Sequence, residues 1–237
     1  MTGPERGNVD CACVVLVHGL WHGAWCWRLV RRRLDAAGLR SVALDLPMTA
    51  LGDDVAAVRR ALDLVRGPVV LVGHSYGGAV ITVAGAHSAV RRLVYVAGFQ
   101  LDVGESISRV LPESGIQATR LGAALRFSED ARQVGVDPVM ARELLYGQAP
   151  TAEADAAIAQ MRPVPRALFG SRVDRVAWRT VPSTYAVCAQ DLTVAPQLQR
   201  AMAQRATDSL EWASDHSPLM SHPDLVAALL IGAAREA

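Results

Sequence analysis

The fold of this chain is decided by residues 69–81, VVLVGHSYGGAVI. The apolar run at 69–72 predicts a buried strand, and the small and apolar residues from Gly77 onward predict a helix. The intervening Gly73-His74-Ser75-Tyr76-Gly77 matches the pattern Gly-x-Ser-x-Gly. Between a strand and a helix, glycines at these positions allow so tight a turn that the serine hydroxyl projects from it. Ser75 is therefore the candidate nucleophile.

Further short apolar runs predict a sheet around this strand. They lie at residues 13–17, 41–44, 93–96 and 185–189, with a weaker run at 210–213. Because polar and apolar residues do not alternate in them, these runs are typical of strands buried on both faces of a parallel sheet. Helical patterns separate them, at 25–37, 53–65, 76–86, 196–205 and 223–235. The alternation predicts an α/β protein with a mostly parallel, doubly wound sheet of about six strands.

The alternation stops between residues 100 and 180. This stretch has several helical patterns, many prolines and no convincing buried strand. A structureless loop of that length is implausible in a compact protein. We therefore predict a helical cap over 100–180, inserted into a core formed by 1–99 and 181–237 and covering the carboxyl edge of the sheet.

Composition and charge exclude several classes of function. The net charge of the 237 residues is only +1 and no strongly basic block occurs, so we expect no nucleic-acid partner. No apolar stretch reaches the roughly 18 residues that a membrane helix needs, and residues 1–6 lack the pattern of a secretory signal. All 24 basic residues are arginine, which excludes lysine-based Schiff-base chemistry. With the high alanine content, this favours a bacterial source.

The cysteines predict thiols rather than bridges. Neither the number nor the spacing of Cys11, Cys13, Cys26 and Cys188 suggests a disulfide framework or a zinc site. We therefore expect reduced core thiols, a cytoplasmic location and no metal or other cofactor. The expected partner is a small-molecule substrate, and a homodimer is left open.

A serine nucleophile needs a base and an acid, which follow it in chain order when it lies on such a turn. Three histidines follow Ser75. His87 lies at the far end of the helix that the serine begins, and His222 directly precedes a proline. His216 falls in the loop after the last predicted strand, at the edge of the sheet where Ser75 is expected. We favour His216 as the base.

The acid is expected at the end of a strand between the serine and the histidine. Asp191 follows the strand at 185–189, immediately before the segment that carries His216, and is favoured. Asp102, after the strand at 93–96, is the alternative. Asp215 is adjacent to His216 and is expected to point the wrong way to orient it.

Hydrolysis of an ester also needs donors for the negative oxygen that develops on the carbonyl. The turn after His18-Gly19 offers the backbone N–H of Leu20, and the second donor is the backbone N–H of Tyr76. At both positions we expect the side chain to matter for the shape of the pocket. We interpret His18 as a structural hydrogen-bonding residue and His74 as buried packing.

Several longer motifs resemble one branch of a known family. These are HGLWHGAWCW at 18–27, ALDLP at 43–47, GHSYGG at 73–78, LYG at 145–147, CAQD at 188–191 leading into LQR at 198–200, and Asp215-His216. Together they resemble the hydroxynitrile lyase and plant methylesterase branch of the α/β-hydrolases, over nearly the whole chain. The resemblance implies an α/β-hydrolase fold with a helical cap, a Ser75–Asp191–His216 triad, and no cofactor or metal.

The same resemblance separates two chemistries. The lyase members carry threonine after the first histidine of the oxyanion loop and lysine after the catalytic histidine, whereas this chain has Gly19 and Ser217. This favours a serine carboxylesterase that cleaves a small carboxylic ester through an acyl-enzyme, with a methyl ester as one candidate. Gly19, Trp21 and Tyr146 are candidates for the substrate pocket. The alternatives are a non-hydrolytic lyase or a thioesterase on the same triad, or a small-molecule binding protein without turnover.

Overall fold

The computed structural model describes residues 12–237. Within them, the strands are β1 (Cys13–Val17), β2 (Ser41–Leu44), β3 (Val69–His74), β4 (Val90–Val96), β5 (Leu125–Phe127), β6 (Gln133–Val136), β7 (Val164–Pro165), β8 (Ser183–Cys188) and β9 (Asp208–Trp212). The α-helices are α1 (Arg28–Ala36), α2 (Leu51–Leu64), α3 (Tyr76–Ala84), α4 (Ile107–Ser114), α5 (Leu121–Ala124), α6 (Pro138–Tyr146), α7 (Thr151–Gln160), α8 (Ala167–Gly170), α9 (Pro196–Ala203), α10 (Pro218–Ser221) and α11 (Pro223–Glu236). Short 3-10 helices span Ala24–Trp27 and Ala177–Arg179.

The main sheet contains the strands that the sequence predicts. Its order is β2-β1-β3-β4-β8-β9, and every pair is parallel. The residues of β1, β3 and β8 are buried throughout, which explains why these strands read as continuous apolar runs. The prediction of a parallel α/β sheet of about six strands is confirmed.

The strand order reverses direction between β1 and β3. From β1 the chain moves outward to β2 on one side, and from β3 it moves outward to β4 on the other. In parallel sheets, ligands bind outside the carboxyl ends of the strands at such a switch point. The loop after β1 and the turn after β3 therefore meet where a site is expected.

The segment between β4 and β8, predicted as a helical cap without a convincing buried strand, also contains short strands. It contains helices α4 to α8, but also a three-stranded antiparallel sheet in the order β5-β6-β7. Val134, Val136 and Val164 are buried in this small sheet. Its strands have only two to four residues each, which is too short for a recognisable period. The pairing of β6 with β7, which joins Val134 to Val164, is also distant in sequence. The sequence pattern therefore missed these strands.

The described cysteines are thiols, as expected. Cys13, Cys26 and Cys188 are free and buried, whereas Cys11 and the N-terminal residues lie outside the described part. Among residues 12–237, no helix is long and apolar enough to cross a bilayer. The same residues contain no group of three or more His, Cys, Asp or Glu side chains arranged to share a metal ion.

Candidate active site

Ser75 lies on a strained turn between β3 and α3. Its backbone has φ 52° and ψ −121°, a region that non-glycine residues rarely occupy. The neighbouring glycines are required by close approach. A Cβ on Gly77 would lie 2.5 Å from the Val17 carbonyl oxygen, and one on Gly73 would lie 2.5 Å from the Gly77 carbonyl oxygen. The glycines predicted to shape this turn therefore do so by allowing backbone to touch backbone.

His216 and Asp191 form a buried pair. His216 Nδ1 lies 2.6 Å from Asp191 Oδ2, and the two side chains are 2% and 0% exposed. Because a carboxylate can only accept, Nδ1 carries the proton and Nε2 keeps a free lone pair. The imidazole is therefore held in the tautomer that a general base requires.

Asp191 is fixed by three further donors. Its Oδ1 accepts the N–H groups of Thr193 and Val194, at 2.7 and 2.9 Å. Its Oδ2 accepts the side-chain amide of Gln199 at 2.7 Å. Gln199 is buried on α9, and its Oε1 also accepts the N–H of Cys188 at 2.9 Å. Sequence reasoning noted Gln199 only as part of a motif and did not assign it this role.

The alternative candidates lie elsewhere. Asp102 is half-buried and pairs with Arg179, whose Nη2 lies 2.6 Å from Oδ1 and 2.8 Å from Oδ2 of the carboxylate. Asp215 turns away from the imidazole and accepts the N–H of Gln148 at 2.9 Å, as its predicted orientation requires. The remaining two histidines are also occupied: His87 pairs with Asp63, and His222 precedes α11 with its Nδ1 on Ser221.

His74 fastens the loop of His216 to the serine turn. Its Nε2–H donates to the His216 carbonyl oxygen at 2.8 Å, and the two ring centroids are 4.8 Å apart. Within residues 12–237, no hydrogen bond joins Ser75 Oγ to His216. The structure thus brings Asp191 and His216 together and attaches the loop of His216 to His74, the neighbour of Ser75. The bond between Ser75 and His216 stays a prediction.

His18 orients the peptide group that carries the Leu20 N–H. Its Nε2 accepts the N–H of Leu46 at 3.0 Å, so Nδ1 carries the proton and donates to the Gly19 carbonyl oxygen at 2.8 Å. That carbonyl and the Leu20 N–H belong to one peptide group. Burial lowers the pKa of His18, which keeps the ring neutral. The expected structural role of His18 is confirmed.

The two expected oxyanion donors are free of protein partners. In the described part of the chain, neither the Leu20 N–H nor the Tyr76 N–H donates to another protein group. Tyr76 is the first residue of α3, where helix N–H groups have no partner within the helix. Gly19 lies next to both donors. It directly precedes Leu20, and a Cβ on it would lie 2.9 Å from the Cβ of Ser75, the residue before Tyr76.

The side chain of Tyr76 does not line a pocket. It is 1% exposed, and its hydroxyl donates to Asp54 Oδ2 at 2.6 Å. The expectation that this side chain shapes the pocket is therefore wrong. The helix carries the ring inward from the turn, so only the backbone of Tyr76 faces the site.

His22 and Tyr146 hold the carbonyl group of Leu20. His22 Nδ1–H donates to the Leu20 carbonyl oxygen at 2.7 Å, and its Nε2 accepts the Tyr146 hydroxyl at 2.8 Å. Burial lowers the pKa of His22 to about 3, so this ring is neutral as well. Tyr146, a predicted pocket residue, is 1% exposed and has its hydroxyl on His22. His22 was missed as a functional residue because a lone histidine in a sequence shows no partner.

Trp21 joins the loop after β1 to the small sheet. It is buried with φ 65°, and its Nε1–H donates to the Val134 carbonyl oxygen at 3.0 Å. Its ring centroid lies 6.0 Å from that of Phe169. Val134 and Phe169 also line a cavity of about 840 Å³ that contains none of the triad candidates. A second cavity, of about 430 Å³, is lined by Asp191 and residues 116–120.

The comparison with known proteins identifies the family of this chain. Residues 14–229 match the model of the alpha/beta hydrolase family. The chain belongs to that family. The alpha/beta hydrolase nvfD of Aspergillus novofumigatus is 29% identical to this hydrolase over 247 residues, covering 94% of this chain and 97% of the relative. Methylesterase 17 of Arabidopsis thaliana is 28% identical over 254 residues, covering 93% and 90%.

Solved structures show the same fold. Polyneuridine aldehyde esterase has a TM-score of 0.84 at 20% identity, covering 95% of this hydrolase and 100% of that chain. Methylesterase MES16 from Arabidopsis has a TM-score of 0.81 at 23% identity, with the same coverage. The α/β-hydrolase fold and the resemblance to plant methylesterases are confirmed. Family and relatives together support an esterase-type hydrolase, the class of enzyme that the sequence predicts.

Proposed function

We propose that this hydrolase cleaves a small carboxylic ester through a Ser75–His216–Asp191 triad. The observation that carries the proposal is the buried Asp191–His216 pair, in which the loop of His216 is hydrogen-bonded to His74 beside the Ser75 turn. The free Nε2 of His216 is the atom that takes the proton from a serine hydroxyl. A hydroxyl is a weak nucleophile without such a base.

The steps follow from these positions. Ser75 Oγ attacks the carbonyl carbon and its proton passes to His216 Nε2. The tetrahedral oxyanion is held by the N–H groups of Leu20 and Tyr76, and its collapse expels the alcohol, protonated by His216. Water then gives a proton to His216 and attacks the acyl carbon, which releases the acid and returns the proton to Ser75. Asp191 remains ionised and orients the imidazole throughout.

Gly19 and Ser217 favour hydrolysis over cyanohydrin cleavage. A β-carbon at position 19 would lie 2.9 Å from Ser75 Cβ, so threonine there requires this region to shift. Ser217 supplies no cation next to His216, and no lysine exists to do so. The methylesterase relatives and the small exposure of Ser75, 8%, favour an ester with a small alcohol such as methanol.

We also propose that residues 100–180 act as a cap over a core of 1–99 and 181–237. Its support is a set of contacts between this segment and the catalytic loops. They join Tyr146 to His22, Gln148 to Asp215, Val134 to Trp21, and the N–H of Arg162 to the Trp21 carbonyl oxygen. A cytoplasmic location and a homodimer stay predictions.

Covalent labelling tests the mechanism. We expect a fluorophosphonate to label Ser75 stoichiometrically and to abolish hydrolysis of 4-nitrophenyl acetate, and we expect Ser75→Ala to remove both labelling and turnover. Ser183→Ala is the matched control, because Ser183 is buried in β8 with no partner for its Oγ in the described chain. Full turnover by Ser75→Ala would refute the mechanism.

A substrate panel separates the alternatives. Short aryl and methyl esters should be consumed with release of acid, and hydrolysis of a thioester in preference to them would favour a thioesterase. Carbonyl product from a cyanohydrin without ester consumption would favour a lyase. Ligand binding with no turnover of any of them would favour a binding protein.

A further inference from the structure

Asp54 is a buried carboxylate that the proposed mechanism does not use. It lies on α2 and is 0% exposed. Its Oδ2 accepts the Tyr76 hydroxyl at 2.6 Å, and its Oδ1 accepts the N–H of Met48 at 2.8 Å. Within residues 12–237, no arginine or histidine pairs with it. Burying a carboxylate without a cation is costly, so its place in the fold calls for a function.

Its partner is the residue that supplies one oxyanion donor. The backbone N–H of Tyr76 faces the site, while its side chain runs inward to Asp54. The orientation of that N–H depends on the turn at Ser75, whose φ of 52° is strained and must be held by its surroundings. A short hydrogen bond to a carboxylate is about twice as strong as one between neutral groups. The phenol therefore anchors the first residue of α3.

The protonation states agree with this arrangement. Burial and the Asp54 charge raise the pKa of Tyr76 far above its usual value, so the phenol keeps its proton and donates. Burial raises the pKa of Asp54, and the hydrogen bonds from Tyr76 and Met48 oppose that effect. Both Asp54 oxygens accept a hydrogen bond, as the two oxygens of a carboxylate do.

We propose that Asp54 is a positioning residue, which sets the Tyr76 oxyanion N–H through the Tyr76 phenol and thereby raises the rate of ester cleavage. This inference rests on the proposed function, because the N–H matters only if an oxyanion forms at Ser75. It assigns the role to a side-chain pair, Asp54 and Tyr76, remote from the substrate. Met48, with φ 55°, completes the anchor by joining the loop before α2 to the same carboxylate.

Two conservative variants test the proposal. Tyr76→Phe removes the donor, and Asp54→Asn keeps the shape but leaves either the Met48 N–H or the phenol facing an amide NH₂. We expect kcat on 4-nitrophenyl acetate to fall about 10- to 100-fold in both, because loss of a whole oxyanion donor costs about 10²- to 10³-fold and this donor is only displaced. KM should change less than about threefold, since the ground-state ester makes little use of the oxyanion donors.

An arylboronic acid supplies the readout that a merely structural role would not move. Its tetrahedral adduct with Ser75 uses the oxyanion donors, so its Ki should rise in parallel with the fall in kcat/KM. Tyr95→Phe is the matched control: Tyr95 is also fully buried and loses one side-chain hydrogen bond, to Thr82, without touching an oxyanion amide. We expect it to keep the wild-type kcat and boronate Ki.

The outcomes distinguish this inference from the proposed function. If the wild-type enzyme is labelled at Ser75 and hydrolyses esters, but folded Tyr76→Phe and Asp54→Asn keep wild-type kcat and boronate Ki, the positioning role is overturned alone. An equal loss in Tyr95→Phe also overturns it, since any buried hydroxyl would then suffice. A wild-type enzyme whose turnover does not require Ser75 overturns both.

Discussion

Two neighbouring histidines, His22 and His74, do not compete with His216, the proposed base. The ring of His74 lies 4.8 Å from that of His216, and the ring of His22 lies 5.8 Å from His74. A charge on either would oppose the imidazolium that His216 becomes in the proposed mechanism. Burial lowers the pKa of His22 to about 3 and that of His74 well below its usual value, so both stay neutral. Each serves as a hydrogen-bond donor to backbone instead.

Asp191→Asn is predicted to abolish most activity while keeping the shape of the site. An amide can hold the imidazole in the wrong tautomer and offers no charge to stabilise the imidazolium. We expect kcat to fall on the order of 10³- to 10⁴-fold. Asp102→Asn serves as the control, because Asp102 pairs with Arg179 and is the rival acid from the sequence. Stopped-flow or steady-state ester hydrolysis measures both, and a larger loss in Asp102→Asn would reverse the assignment.

The elements that carry the site meet through loops rather than through their regular parts. The loop after β1 bears Leu20, the turn after β3 bears Ser75, and the loops after β8 and β9 bear Asp191 and His216. Helix α6 joins them through Tyr146, whose hydroxyl reaches His22. Helix α6, which lies outside the main sheet, thus helps to hold the loop after β1.

Tyr146→Phe is predicted to loosen that loop. The change leaves His22 Nε2 buried without a donor, which costs about 1–3 kcal/mol of the free energy of unfolding. Hydrogen exchange at residues 18–23 should accelerate, because the clamp on the Leu20 carbonyl loses its anchor. Urea unfolding and exchange mass spectrometry measure the two effects. Tyr185→Phe, a buried tyrosine bonded to the Gly98 carbonyl, is the control and should leave exchange at 18–23 unchanged.

The sequence predicted the elements with strong patterns. The parallel strands have continuous apolar runs, and the Ser75 turn has glycines in the required places, so both could be recognised. The pairing of Asp191 with His216 followed from chain order. The small sheet β5-β6-β7 could not be found because its strands are too short to show a period. The Asp54–Tyr76 pair could not be found because it joins two distant residues. The contact of the Tyr76 side chain with Asp54 was missed for the same reason, whereas its backbone N–H stays a predicted oxyanion donor.

At the scale of the whole molecule, three buried histidines make the free energy of unfolding depend on pH. His18, His22 and His74 all have pKa values below their ordinary 6.5, with burial as the main cause. In the unfolded chain they regain ordinary values and bind protons below that pH. The unfolded state therefore takes up more protons than the native state, and acid favours unfolding.

We predict that the free energy of unfolding is greatest above pH 6.5 and falls between pH 6.5 and 5. Each of the three histidines contributes up to about 1.4 kcal/mol per pH unit in that window. Carboxylates with lowered pKa values, such as Asp102 and Glu105, lose their contribution only at lower pH. Urea titrations at several pH values measure how steeply the free energy of unfolding changes with pH. His22→Gln should lower the number of protons taken up on unfolding by about one. A flat profile from pH 7 to 5 contradicts the prediction.

The strained backbone of Ser75 limits the stability of this enzyme. A non-glycine residue in such a conformation costs about 1–3 kcal/mol, against a total stability of roughly 5–15 kcal/mol for a typical domain. Ser75→Gly is therefore expected to relax the backbone and raise the free energy of unfolding, while it removes the hydroxyl on which the proposed mechanism depends. A serine in this strained turn thus lowers the stability of the fold and keeps the proposed nucleophile in place.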